Sequence, residues 1–287
     1  MTACALAPDV AQYHNNKGVT LLEIGVHKHK EGNQKAERQY GKNAVEACQN
    51  AVELDSKIAD YHYNLSKALF FATVSMGYVD DTILGYVDDA ISECRTALQL
   101  NPESSEYHRV YSYFLSIQGQ DDNALNEACK AVELAPDDAE AYYTLGFRLQ
   151  ELNQFDEAVS AYRQAIQLNP DKAIYHYYLG SVLNDLGRYR EALKAYEADI
   201  AISLTTDPPY QLSVSYSYAA YTLFMLNRYD EALQYAEKGI EIYPDYPDNH
   251  YARYVLLTYF NRHEEARQEL ETAYELGGIP LPEDAKI

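Results

Sequence analysis

The chain has 287 residues, with 44 Asp+Glu against 23 Lys+Arg and a formal net charge of −21, which excludes the dense basic surface that nucleic acids and anionic membranes require. Hydrophobic residues make up 47%, enough to build a core, and no apolar run approaches the ~20 residues of a bilayer span. The aromatic content is skewed, with 29 Tyr, 7 Phe and no Trp.

Residues 1–67 are neutral, with 8 basic and 8 acidic side chains, so the whole charge excess falls in residues 68–287. A solvated set of outer helix faces accounts for it. Met1–Val10 lacks the basic-then-apolar order of a signal peptide. Cys4, Cys48, Cys94 and Cys129 form no C-x-x-C pair, so neither a zinc site nor a disulfide framework is signalled. A reducing cytoplasm is the expected setting. Residues 1–17 read as a lead-in.

From there an alanine recurs at Ala44, Ala90, Ala124, Ala158, Ala192, Ala232 and Ala266. The gaps reduce to a period of 34 with insertions near 33–43, 73–84 and 205–210. Within residues 139–172, Tyr142, Leu145, Gly146 and Leu149 step by three and four, which predicts one helix face. Asn153 follows, and Gly119, Gly187, Asn227 and Asn261 hold the same place, a helix C-cap. A second face runs Phe155, Ala158, Tyr162, Ala165 and Leu168, and Pro170 ends it, as Pro102, Pro136 and Pro244 do elsewhere. Gly146 and Ala158 are small because the two helices touch there. Acidic doublets at Asp88-Asp89, Asp156-Glu157, Asp230-Glu231 and Glu264-Glu265 are expected to open second helices, where they complement the positive helix terminus.

The first insertion lengthens the turn of the first repeat. The second contains Gly77-Tyr-Val-Asp-Asp81 and again Gly85-Tyr-Val-Asp-Asp89, a small duplication that either lengthens both helices or projects a loop, with a solvated turn the favoured reading. Its carboxylates lack the ligand spacing of a calcium loop. Near Thr205–Tyr210, Pro208-Pro209 marks a rigid break, and Asp199 replaces the core alanine just before it, placed to bond to the loop's backbone. After Leu276 no polar cap follows. Leu270, Ala273 and Leu276 are left to the Ile279–Leu281 tail, a second subunit making a homodimer, or a further domain.

These offsets resemble the tetratricopeptide repeat family: Tyr142-x-x-Leu145-Gly146, then Phe155, Ala158, Tyr162, Ala165 and Pro170, with Leu179-Gly180, Tyr189, Ala192 and Tyr196 in the next copy. The resemblance covers about seven copies over residues 18–276, with residues 277–287 a tail. It implies an all-α fold, a right-handed superhelical solenoid of antiparallel helix pairs. The family's Trp position holds Leu21, His62, His108, Tyr142, His176, Tyr216 and His250. Its four histidines lie a repeat apart, so flat rings in an inter-helix slot are expected there rather than a metal or catalytic site. Cys48 and Cys94 share the core site of Tyr162 and Tyr196, which predicts inert thiols.

The resemblance further implies peptide binding along the first helices of the repeats. Groove places hold Tyr63, Tyr143, Tyr177 and Tyr251 in one row and Tyr113, Phe147 and Tyr221 in another, seven aromatics among fourteen positions. Asn64, Lys67 and Arg109 adjoin them. Two readings of the tyrosines stand: packing against the neighbouring helix, or a recognition strip. Lys67 and Arg109 either anchor a ligand carboxylate or pair with acids such as Asp60 and Glu106. The two-carboxylate clamp of chaperone-binding members is broken by Leu22, Val26 and Glu106. The asparagine ladder of O-linked GlcNAc transferase arrays is also broken, since its place reads Glu23, Asn64, Val110, Thr144, Tyr178, Tyr218 and Ala252. No catalytic motif or cofactor cradle is present in the sequence, so no cofactor, metal or enzymatic activity is expected. The expected function is a protein-interaction scaffold with a protein or peptide partner. A self-associating subunit and a substrate-recruiting arm of a larger enzyme are the alternatives.

Overall fold

The computed structural model describes residues 7–30, 33–76, 81–206 and 208–277, and every regular element among them is an α-helix. The helices are α1 (Ala7–Lys30), α2 (Gln34–Leu54), α3 (Ala59–Met76), α4 (Asp81–Leu100), α5 (Ser105–Ile117), α6 (Asp121–Leu134), α7 (Ala139–Glu151), α8 (Phe155–Leu168), α9 (Ala173–Asp185), α10 (Tyr189–Thr206), α11 (Pro209–Met225), α12 (Tyr229–Ile242), α13 (Pro247–Tyr259) and α14 (His263–Glu275). Consecutive helices pack in pairs, α1 with α2 through α13 with α14, giving seven repeats in an all-α array. The chain divides into two compact units, Met1–Pro136 with three pairs and Asp137–Ile287 with four.

Each tight turn rests on one residue with positive φ. Gly119 and Gly187 adopt 70° and 68°, and Asn153, Asn227 and Asn261 all adopt 59°. The next residue's N–H then returns to a carbonyl five positions back, as from Gln154 to Leu149 at 2.8 Å and from Arg228 to Leu223 at 2.9 Å, so the last helical carbonyls are satisfied. Asp156-Glu157, Asp230-Glu231 and Glu264-Glu265 fall in the first turns of α8, α12 and α14, as expected.

The insertions depart from the favoured turn reading, and the second follows its helix-lengthening alternative. Rather than lengthening turns, they lengthen helices: α1 and α2 have 24 and 21 residues, and α3 and α4 have 18 and 20, where the helices of the third and fourth pairs have 13 or 14. Extending a formed helix adds one hydrogen bond per residue, whereas a longer turn would leave backbone groups to solvent. Asp88-Asp89 therefore lies inside α4, which begins at Asp81, and does not open it. Gly77 to Asp80, where the duplication starts, lies outside the described residues, as do Cys4 and the Ile279–Leu281 tail. At the third insertion Pro208 caps α11 and Pro209 occupies its first turn, where a missing N–H costs nothing.

Six of the seven marker alanines are fully buried and Ala266 is 3% exposed. The small residues are demanded by close approach. A Cβ on Gly146 would lie 2.8 Å from the Tyr162 ring, and one on Gly180 equally close to Tyr196. The partner over Gly146 is therefore Tyr162 rather than Ala158. Cys48 and Cys94 occupy the equivalent site and are buried, which pushes each thiol up to about 12 and leaves it inert at neutral pH.

Two glycines in this array should fail for different reasons. Gly146→Val should cost about 1–3 kcal/mol through overpacking against Tyr162, with the midpoint of urea unfolding as the measure. Gly119→Val meets no atom within 4 Å and is strained only in its backbone. Gly119→Asn should recover most of that loss, because asparagine holds the same place in three other repeats.

Candidate functional site

In the first unit the inferred groove residues form one cluster. Tyr63 on α3 stacks on Tyr107 of α5 with ring centroids 4.6 Å apart, and its hydroxyl donates to Glu106 at 2.6 Å. Lys67 sits one turn on, its Nζ 4.3 Å from the Tyr63 ring centroid. Burial holds the Lys67 amine below the usual lysine range; Glu106 offsets this in part and Arg109 adds repulsion. The Arg109 Nε is buried without a hydrogen-bond partner. Asp60 and Glu106 accept from the hydroxyls of Tyr107 and Tyr63 respectively. Asn64 donates to Asn15 at 3.0 Å. Tyr113 is 42% exposed and meets Phe70 edge-on.

The second unit holds a longer aromatic run. Tyr143 and Phe147 on α7 both meet Tyr178 on α9, at 5.5 and 5.2 Å between centroids. Tyr177 meets Tyr178 and, at 5.4 Å, Tyr218 of α11. Tyr178 and Tyr218 in turn stack over the buried Tyr162 and Tyr196. Burial, then the neighbouring tyrosines, raise the Tyr143 and Tyr177 hydroxyls well above the ordinary phenol range, so both are neutral donors. These rings pack against neighbouring helices, as the first reading of the tyrosines has it, and Tyr143, Phe147, Tyr177 and Tyr178 stay partly exposed. Tyr221 is 50% exposed and borders a cleft of about 290 Å³ with Tyr218 and Asp248. Tyr251 stands apart from the run and meets Tyr254 at 5.7 Å. Tyr178 and Tyr218 were legible only as gaps in an asparagine ladder, and their place in the aromatic run is what that reading missed.

The histidines at the Trp position share one arrangement. The Nε2 of His62, His108, His176 and His250 lies 2.8–3.0 Å from the carbonyl six residues earlier. In three of them Nδ1 also meets a glutamate of the paired helix: Glu93, Glu127 and Glu269. The spacing is 19 residues for His108 and His250, and 31 for His62, whose repeat carries the 12-residue insertion. Where the partner position holds another residue, the pair changes: His176 faces the Ala195 position, and Tyr216 packs on Tyr235 at 5.6 Å. The rings therefore tie the two helices of one repeat together. Among the described residues no three His, Cys, Asp or Glu side chains gather as metal ligands.

The tetratricopeptide repeat family profile matches residues 143–204 and again 214–246. Residues 143–204 and 214–246 are tetratricopeptide repeats. The fourteen helices among the described residues form seven pairs of the same kind. A sequence search of curated proteins found no match. Among solved structures, PilF of Pseudomonas aeruginosa is similar at 17% identity, covering 82% of this chain and 96% of its own, with a TM-score of 0.59. A chain of the APC/C hetero-tetramer Cut9–Hcn1 is similar at 13% identity over 95% of this chain and 52% of its own, with a TM-score of 0.67. YrrB, a tetratricopeptide repeat protein, is 20% identical over 73% of this chain and 98% of its own, with a TM-score of 0.53. At these identities the likeness is one of fold. Among the described residues no helix is long and apolar enough to cross a membrane.

The last repeat offers a pH test. The hydrogen bond that His250 Nδ1 donates to the Glu269 carboxylate raises the imidazole above its ordinary value, against the effect of burial. Burial disfavours the Glu269 carboxylate, but His250 and Arg253 outweigh it and hold that group below its usual range. A raised histidine contributes stability below pH ~6.5 and loses it as pH rises through the folded value; a lowered carboxyl contributes above pH ~4.5 and loses it on acidification. His250→Gln should therefore be less stable than the natural chain by about 1–2 kcal/mol near pH 5.5. That gap should narrow by pH 8, as followed by thermal melts across the range.

Proposed function

We propose that this protein is a non-enzymatic adaptor that holds a peptide segment of a partner protein on the aromatic faces of its first helices. The fold class is that of protein-interaction modules, and YrrB, similar in fold, is described as having an unusual peptide-binding site. The observation that carries the reading is the tyrosine run of the second unit, Tyr143–Tyr178–Tyr177–Tyr218, continued by the half-exposed Tyr221. Tyrosines braced by other tyrosines lose little further entropy on binding and offer an apolar face with a polar tip. Their neutral hydroxyls suit backbone carbonyls of an extended peptide. In the first unit Lys67 and Arg109 add a cationic spot beside Tyr63, suited to an acidic side chain or a carboxylate.

Capture of a peptide from a displayed library should depend on these rings. Tyr221→Ala, at an exposed ring, should weaken binding about tenfold with unchanged helicity, in line with an interface hot spot of about 1–2 kcal/mol. Tyr143→Ala combined with Tyr177→Ala should abolish it. Peptides selected equally well by all variants would sink the reading. For peptides held by the first unit, affinity should fall as salt is raised, through loss of the Lys67 and Arg109 contribution.

A further inference from the structure

The first helices of the second unit carry an unbalanced set of charges. Across α7, α9, α11 and α13 stand Glu140, Glu151, Asp185 and Asp248 against Arg148 and Arg253. Both arginines are already committed, Arg148 to Glu151 at 2.6 Å and Arg253 to Glu269 and Glu237. Glu140 accepts from Tyr175 and lies 4.0 Å from Lys172. Among the described residues neither Asp185 nor Asp248 is in an ion pair, and both are exposed. Their donors are neutral, Gln150 to Asp185 at 3.3 Å and Tyr246 to Asp248 at 2.8 Å.

Asp185 stands where helix physics disfavours it. It is the last residue of α9, at the carbonyl end whose partial negative charge repels an acid and favours a cation. The repeat does not call for an acid there, since Ile117, Met225 and Tyr259 close α5, α11 and α13 at the same place. Aromatic clefts flank it. One, of about 290 Å³, has Asp185, Asp248, Tyr218 and Tyr221 in its wall. A second, of about 330 Å³, is walled by Asp185, Phe147 and Tyr178. Asp185 is common to both, and no Lys or Arg lines either one. Residues 137–287 hold 25 acidic against 12 basic side chains, a field that draws cations.

We propose that the occupant of the second unit's aromatic groove is a basic peptide segment, whose Lys or Arg side chains enter the two clefts that share Asp185. That the occupant is a peptide rests on the adaptor reading above; its charge rests on the acids and rings of these clefts. An exposed ion pair alone contributes little, but a cation that also lies on an aromatic face gains cation–π attraction. Here a guanidinium beside Tyr221 or Phe147 meets the Asp185 carboxylate and the negative end of α9 together, and Asp248 adds a second carboxylate to the first cleft.

The test uses the full chain and fluorescein-labelled tetra-arginine amide, followed by anisotropy at physiological salt, with tetra-citrulline amide as the neutral isostere. Tetra-arginine should bind, and tetra-citrulline about tenfold more weakly. Asp185→Asn combined with Asp248→Asn should weaken tetra-arginine about tenfold. Asp185→Asn alone should melt no lower than the natural chain, because it removes an acid from a helix C-terminus. Glu157→Gln with Glu241→Gln takes the same charge from exposed sites on α8 and α12, and should leave affinity within roughly twofold. No binding of tetra-arginine, equal binding of tetra-citrulline, or equal weakening by the two double variants would overturn the proposal. Library peptides that need Tyr143 and Tyr177 yet carry no Lys or Arg would also overturn it and leave the adaptor reading standing. Tetra-arginine held at Asp185 and Asp248 with no library peptide captured would sink the adaptor reading alone.

Discussion

Two helices can lie at closest contact only where one of them presents no side chain, and the fourth and fifth repeats are built around such a place. Gly146 and Gly180 leave room for a ring that a single Cβ would strike. Tyr162 and Tyr196 fill that room completely, and the marker alanines of the same two repeats, Ala158 and Ala192, are fully buried. Because an interior packed to this density transmits any change in volume, the spacing of small and large residues is held across the array. The turns follow from it: a helix that must return alongside its predecessor needs one left-handed residue, and only glycine or asparagine stands there.

The high tyrosine content acquires two roles from this geometry. One set of rings is core, with hydroxyls that reach polar partners at the edge, as Tyr162 reaches Gln150. A second set lies over the first and is braced by it, with Tyr178 over Tyr162 and Tyr218 over Tyr196. A surface ring that rests on a core ring is pre-ordered, and pre-ordering is what lets an exposed aromatic contribute to binding rather than lose entropy on contact. Phenylalanine could do the packing, but not with a polar tip at the same place.

The histidines show how a repeat position can change chemistry without changing purpose. Where the partner position on the second helix is glutamate, the ring is held at both nitrogens; where it is alanine, His176 is held through Nε2 on Pro170, and where it is tyrosine, two rings pack together. Asp199 departs further. It exchanges an apolar contact for a buried carboxylate, on a helix that the third insertion lengthens.

The period of 34, the paired helices, the caps and the buried cysteines were all legible in the residues, because each depends on contacts within one repeat or with its neighbour. Helical spacing and a left-handed cap are local facts. The fate of the insertions was not legible, since whether extra residues join a helix or a turn depends on what the lengthened helix can pack against. Nor were the His–Glu pairs, whose 19-residue spacing has meaning only once the two helices lie side by side. The cavity at Asp199 was least legible of all. The sequence shows an acid in an alanine column, but the open volume of about 690 Å³ beside it exists only between α9, α10 and α11.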